Sequence, residues 1–128
     1  MAKCMCQINA DRTLVYSCAG AANVGQLADL AARQLAARGI GKLFCLAALG
    51  AEIDDMVESA RHAEVNLVID GCPLDCGLRT FERLGIDNLR HVRVTELGVE
   101  KGPAPETPDA QALTAVVSTA AQRLLHAE

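Results

Sequence analysis

The sequence predicts a three-layer α/β sandwich, in which a mainly parallel sheet of about four strands carries helices on both faces. Two observations lead to this fold class. Short apolar runs alternate with segments of helical period along the 128 residues. Runs such as 13-TLVYSC-18 and 66-NLVID-70 are apolar on consecutive residues, which is typical of strands that are buried on both sides. Strands alternating with helices join by right-handed crossovers into a parallel sheet.

The first half of the chain predicts two strands, each followed by a helix. The first strand, 13-TLVYSC-18, leads into a helix with one apolar face. That face comprises Val24, Leu27, Ala28, Ala31 and Leu35. Gly39 and Gly41 form the stop and turn after this helix. The second run, 42-KLFCLAAL-49, is predicted as a strand, and a helix over 52–64 follows it.

The second half continues the alternation and ends in a long helix. The third strand is 66-NLVID-70 with a helix over 77–85 after it, and the fourth run is 91-HVRVTELGV-99. Beyond a loop, Thr107 is the expected N-cap of the last helix, with Pro108 at its first position.

No repeat or low-complexity tract divides the chain, so residues 1–128 are expected to form one domain of flavodoxin/Rossmann-like type. Within it we distinguish an N-terminal Cys-x-Cys segment at 1–12, a loop at 102–108 and a C-terminal helix at 109–127.

Composition and charge exclude several classes of function. The net charge is −4 and no basic run occurs, so the electrostatic footprint of a nucleic-acid-binding protein is absent. Tyr16, Phe44 and Phe81 are the whole aromatic set, too few to stack against single strands. No segment approaches the about 20 apolar residues of a membrane span, and the N-terminus lacks a signal peptide. We therefore expect a cytoplasmic protein with no membrane partner.

The cysteines carry the functional signal. They are Cys4, Cys6, Cys18, Cys45, Cys72 and Cys76. In the cytosol, such thiols are metal ligands or reactive groups more often than structural disulfides. Ligands of a parallel sheet bind beyond the carboxyl ends of its strands. Cys18 ends the first strand there, Cys72 and Cys76 follow the third strand, and Cys45 joins them if the second strand is short.

These four thiols fit metal binding and thiol chemistry equally well. Four thiolates hold zinc tetrahedrally at about 2.3 Å, and Cys72 and Cys76 have the close spacing that such sites use. Helix N-termini after Gly20 and Gly77 would stabilise thiolates and lower their pKa, which equally favours thiol redox or sulfur-transfer chemistry. An iron–sulfur cluster on the same thiolates is a further alternative. The residues expected to shape the site are Gly20, Asp70, Gly71, Pro73 and Gly77.

Other candidate residues carry weaker signals. Cys4 and Cys6 would add ligands if the N-terminal tail folded over the site, although an inert, frayed terminus is the expectation. The histidines are expected to be solvent-exposed, and they are His62, His91 and His126. The loop 18-CAGAANVG-25 lacks the phosphate-binding arginine of small tyrosine phosphatases, because Val24 occupies that position.

Four segments occur in an order that points to a known family. They are 16-YSCAGAANVGQLADLAARQL-35, 45-CLAALGA-51, 67-LVIDGCPLDC-76 and 96-ELGVEK-101. Over roughly Leu14 to Lys101 the chain resembles the DGC-domain family of small bacterial and archaeal zinc-binding proteins. The resemblance implies an α/β sandwich and a zinc-binding cysteine cluster. By position, its members correspond to Cys18, Cys45, Cys72 and Cys76.

One departure from the family pattern concerns the loop after the first strand. Many relatives have a further cysteine where this chain has Ala21, so that cysteine is dispensable or Cys4 or Cys6 substitutes for it. We predict a zinc-binding protein whose partner is the metal ion. A closed set of four sulfurs favours a structural or stored metal over a catalytic one, which argues against an enzyme.

Overall fold

The computed structural model of the chain describes residues 9–126 and has a four-stranded parallel sheet at its centre. The strands are β1 (Thr13–Ser17), β2 (Lys42–Leu43), β3 (Val65–Asp70) and β4 (Leu89–Arg93). They lie in the order β2-β1-β3-β4, and all three pairings are parallel. The strand order reverses between β1 and β3, and open α/β sheets bind their ligands beyond the strand ends at such a point.

Helices cover both faces of this sheet, as the sequence predicts. One face carries α1 (Asn23–Ala37) and α5 (Ala110–Leu125). The other carries α2 (Leu46–Gly50), α3 (Asp54–His62) and α4 (Cys76–Leu84). Short 3-10 helices lie at Ala10–Arg12 and Val94–Leu97. The three-layer α/β sandwich is therefore confirmed.

Alternating side chains of the central strands divide the buried core in two. Val15 and Ile69 face α1 and α5, whereas Tyr16 and Val68 face α2, α3 and α4. The Tyr16 ring packs edge-on against Phe81, with ring centroids 5.1 Å apart. Its buried hydroxyl donates a hydrogen bond of 2.8 Å to Asn66 Oδ1. Both central strands are thus buried on both sides, as their unbroken apolar runs indicate.

The second apolar run is not one strand, and this prediction is wrong. The strand ends at Leu43, and helix α2 begins at Leu46 with Cys45 as its N-cap residue. Two physical reasons account for the difference. The segment 46-LAALG-50 is rich in alanine and leucine, which favour helix. β2 also lies at the edge of the sheet with both residues exposed, so it lacks the burial that sustains a long central strand.

The last helix begins two residues later than predicted. Asp109, not Thr107, is its N-cap: the Asp109 carboxylate accepts hydrogen bonds from the amides of Gln111 (2.9 Å) and Ala112 (3.1 Å). Aspartate is as good a cap as any residue type, and its charge also suits the positive end of the helix dipole. None of the helices among residues 9–126 combines the length and apolar character that crossing a bilayer requires.

Candidate thiolate site

Three of the four predicted cysteines line one cleft at the carboxyl edge of the sheet. Cys18, Cys45 and Cys76 contribute to the walls of this cleft, which has a volume of about 680 Å³. Cys18 follows β1, Cys45 precedes α2 and Cys76 begins α4. All three are free thiols, with Cys45 and Cys76 exposed and Cys18 half-buried. The brevity of β2 is what leaves Cys45 at this edge.

Cys72 does not line the cleft. It packs against the core on the α1 side of the sheet, and its sulfur lies 3.5 Å from Lys101 Nζ. The segment that carries Lys101 is fastened to the start of α1 by Asn23. The Asn23 side chain donates to Glu100 O at 2.8 Å and accepts from the Gly102 amide at 2.7 Å. Cys72 therefore contacts Lys101, whereas Cys76 lines the cleft.

The sulfurs of the cleft are not drawn together into a closed cluster. Among residues 9–126, no three cysteine sulfurs lie within 4.8 Å of one another. Tetrahedral zinc with bonds of about 2.3 Å requires sulfur separations of about 3.8 Å. The donor types fit zinc, but the thiols must approach one another to hold it. Cys45 and Cys76 are exposed, and exposed side chains change rotamer rapidly. Cys4 and Cys6, the further ligands considered above, lie outside the described residues.

The environment of Cys18 is set by burial and by two backbone amides. Burial raises the pKa of the Cys18 thiol, whereas hydrogen bonds from the amides of Gly20 and Gly71 lower it. The charges of Asp70 and Cys76 add to the increase, and the resulting pKa is above the ordinary value. The amides at this edge lower the pKa of Cys18 as expected, but desolvation outweighs them and the net shift is upward.

Two residues beside these cysteines have a left-handed backbone. Ala19, directly after Cys18, has φ of 50°, and Asp75, directly before Cys76, has φ of 52°. For residues other than glycine, such conformations cost of order 1–3 kcal/mol and cluster at functional sites. Both bends change the direction of the chain at the edge of the cleft.

Glycines allow the loops of the site to pack directly on helix α1. A Cβ atom on Gly25 would lie 2.4 Å from Gly20 O, and one on Gly71 would lie 2.8 Å from the Gly25 nitrogen. The Gly71 amide also donates to Cys18 Sγ at 3.3 Å. The predicted turn is present as well, with Asp75 N donating to Cys72 O at 3.1 Å and Pro73 at its second position.

Asp70 anchors the start of helix α4. The Asp70 carboxylate is buried and accepts hydrogen bonds from the amides of Gly77 (2.8 Å) and Leu78 (3.0 Å). A Cβ atom on Gly77 would lie 2.5 Å from Val68 Cγ1, so only glycine lets the helix approach β3 this closely. Asp70 thereby fixes the position of Cys76, the first residue of α4.

His91 is not solvent-exposed, and that prediction is wrong. Its side chain retains 19% of its accessible surface, and its Nε2 lies 2.8 Å from Asp70 Oδ2. Neighbouring Asp75 is bound by Arg93, which lowers the pKa of the Asp75 carboxyl. The sequence signal for this network was the acidic residue that ends a buried strand, because a buried carboxylate needs a partner. His62 and His126 are exposed as predicted.

The ligating atoms of Asp70, Asp75 and His91 lie within 4.8 Å of one another. Their existing partners nevertheless indicate a structural network. The Asp70 carboxylate already accepts hydrogen bonds from two helix amides, and the Asp75 carboxylate accepts one from Arg93. A metal ion would have to displace these donors.

The lining of the cleft includes both polar and apolar side chains. Ser17 Oγ donates to Asp29 Oδ1 at 3.1 Å, and Arg33 Nε donates to Asp29 Oδ2 at 2.9 Å. The apolar side is formed by Leu43, Phe44, Leu46 and Met56. The cleft thus combines soft sulfur donors, one guanidinium and an apolar surface.

Comparison with known proteins agrees with the motifs of the sequence. The family model described as DGC domain matches residues 14–120. A curated relative is the anaerobic and virulence modulator AnvM of Pseudomonas aeruginosa. It is 38% identical over 103 residues, which cover 78% of each chain. No solved structure gives a significant match.

Proposed function

The chain belongs to the DGC-domain family, and on this basis we propose that it is a zinc-binding protein whose ligands include Cys18, Cys45 and Cys76. The observation that carries this proposal is the convergence of three free thiols on one cleft from three separate segments of the chain. Thiolate is the ligand type that structural zinc sites use most. Bound zinc would cross-link the loops that contain these cysteines.

Cys72 is the fourth ligand that the family pattern implies. Its sulfur contacts Lys101 and it does not line the cleft, so a metal held by all four thiols would require Cys72 to turn away from Lys101. Its role as a ligand therefore stays a prediction. In the described residues, the three thiols of the cleft carry the proposal.

Metal analysis tests the proposal. The protein is expressed and purified without oxygen, and its metal content is measured by elemental analysis. We expect one zinc per chain and protection of Cys76 from alkylation until a chelator is added. Absence of stoichiometric metal, with every thiol freely titratable, would refute the proposal. A brown protein with visible charge-transfer absorption would identify an iron–sulfur cluster instead.

Thiol redox chemistry is the second candidate function. It is favoured by the exposure of Cys45 and Cys76, which leaves these thiols accessible. The relative AnvM is named an anaerobic and virulence modulator, and a response of thiols to oxygen would suit such a role. Two thiols would lose two electrons and two protons to a peroxide, giving a disulfide and either two waters from hydrogen peroxide or one water and one alcohol from an organic hydroperoxide.

The two candidates differ in the behaviour of Cys76. Metal-loaded protein whose Cys76 reacts rapidly with an alkylating reagent at neutral pH would favour the redox function. Mass spectrometry after peroxide treatment identifies any disulfide that forms. Cys72 is the internal control, because it lies outside the cleft.

A further inference from the structure

The cleft is far larger than a metal ion requires. Its volume of about 680 Å³ falls within the range of about 300–1,000 Å³ that pockets for small organic ligands occupy. It also lies beyond the carboxyl ends of β1 and β2, the edge of a parallel sheet at which α/β proteins bind ligands. Size and position both indicate an organic ligand beside the thiols.

Arg33 supplies a recognition group for a carboxylate. Its Nε atom is engaged by Asp29, whose other oxygen accepts from the buried Ser17 hydroxyl. These contacts brace the guanidinium on the wall of the cleft. Its two Nη atoms have no hydrogen-bond or ion-pair partner among residues 9–126. A guanidinium with free terminal nitrogens binds a carboxylate through charge-assisted hydrogen bonds.

The rest of the lining limits which chemical groups a carboxylate ligand can bear besides its carboxylate. Leu43, Phe44, Leu46 and Met56 provide an apolar surface for an aliphatic body. The three thiols would leave the fourth tetrahedral position of a zinc ion without a cysteine, because Cys72 lies outside. A soft sulfur donor is the ligand type that matches a thiolate-bound metal.

We infer that the cleft binds a small organic thiol that also bears a carboxylate. The carboxylate pairs with Arg33, and the sulfur lies among Cys18, Cys45 and Cys76. The sulfur contact rests on the proposed zinc site, whereas the Arg33 contact stands on the geometry of the cleft alone.

Titration calorimetry with three related probes tests both contacts. The zinc-loaded protein is kept reduced with a phosphine and titrated with glutathione, its S-methyl derivative and its dimethyl ester. We expect glutathione to bind. Each derivative should bind at least about tenfold more weakly than glutathione, because each lacks one of the two contacts.

Two arginine variants provide the matched comparison. Arg33→Gln is expected to weaken glutathione binding about tenfold while leaving the affinity for the dimethyl ester unchanged. Arg38→Gln, at the end of the same helix and outside the cleft, should bind glutathione as the unaltered protein does. Circular dichroism establishes that both variants are folded.

The outcomes separate this inference from the proposed function. Equal glutathione affinity in Arg33→Gln and Arg38→Gln overturns the carboxylate contact. Equal affinity for glutathione and its S-methyl derivative overturns the sulfur contact. Zinc content is measured in each sample, so a chain without zinc refutes the proposed function. If the zinc-loaded protein binds glutathione equally well with and without Arg33, this inference alone is overturned.

Discussion

His91 Nε2 lies 2.8 Å from Asp70 Oδ2, and this contact joins strand β4 to the carboxylate that ends strand β3 and holds the first turn of helix α4. The same carboxylate accepts hydrogen bonds from two backbone amides of that turn. Asp70 stands two residues before Cys72, and the helix that it anchors begins at Cys76. The geometry of the thiolate site therefore depends on a buried carboxylate that is not itself placed among the ligands.

Asp70→Asn should destabilise the protein by about 2–3 kcal/mol, because an amide places a donor against two helix amides and His91 in a buried position. Urea unfolding followed by circular dichroism measures the change. Asp87→Asn is the control, since Asp87 is exposed and should change stability by less than about 0.5 kcal/mol. Similar values for the two variants would contradict the anchoring role.

Gly25→Ala should separate the Cys18 loop from helix α1. The new methyl group would lie 2.4 Å from Gly20 O, and the backbone on both sides leaves no low-cost relief. We expect a loss of about 1–3 kcal/mol in unfolding free energy, together with a lower zinc content. Gly50→Ala is the matched control, because nothing lies within 4 Å of its added atom. If Gly25→Ala and Gly50→Ala have the same unfolding free energy and the same zinc content, the close approach of the Gly20 backbone to helix α1 has no role.

The fold and the edge that carries the site follow from the sequence, because both depend on the alternation of runs and helices. The directions of the side chains do not follow. Cys72 and Cys76 are close in sequence and separated by a turn and the left-handed Asp75, yet Cys76 lines the cleft whereas Cys72 contacts Lys101. Spacing fixes the length of chain between two thiols but not where their Cβ atoms point.

The contact of His91 illustrates a second limit of the sequence. Its partner depends on which strand lies beside β4 and in what register, and the pairing places Val68 opposite His91. Neither property can be read from the segment that contains His91. A polar run at a strand start looks the same whether it faces solvent or a buried carboxylate.

Single serine replacements of Cys45, Cys72 and Cys76 should separate the contribution of the cleft thiols from that of Cys72. Cys45→Ser and Cys76→Ser are expected to reduce bound zinc well below one per chain, because each removes a sulfur from the cleft. Cys72→Ser should retain zinc, since this thiol contacts Lys101 instead. Elemental analysis after anaerobic purification gives the stoichiometry. Loss of zinc in Cys72→Ser would mean that Cys72 turns away from Lys101 to supply the fourth ligand.

Tyr16 should ionise only when the protein unfolds. Burial raises the pKa of its phenol above the ordinary value of about 10, and the hydroxyl donates to Asn66. A folded-state pKa above the unfolded one contributes stability that is complete below pH of about 10. That stability is lost as the pH rises towards the folded-state pKa.

Tyr16 is the single tyrosine of a chain without tryptophan, so tyrosinate absorbance reports on this residue alone. We expect this absorbance to increase together with the loss of helical circular dichroism in an alkaline titration. Tyr16→Phe should cost about 1 kcal/mol at neutral pH, because Asn66 Oδ1 loses its donor, and should shift alkaline unfolding to higher pH. Titration of the phenol near pH 10, in protein that is still folded, would show that the hydroxyl is not held in the core.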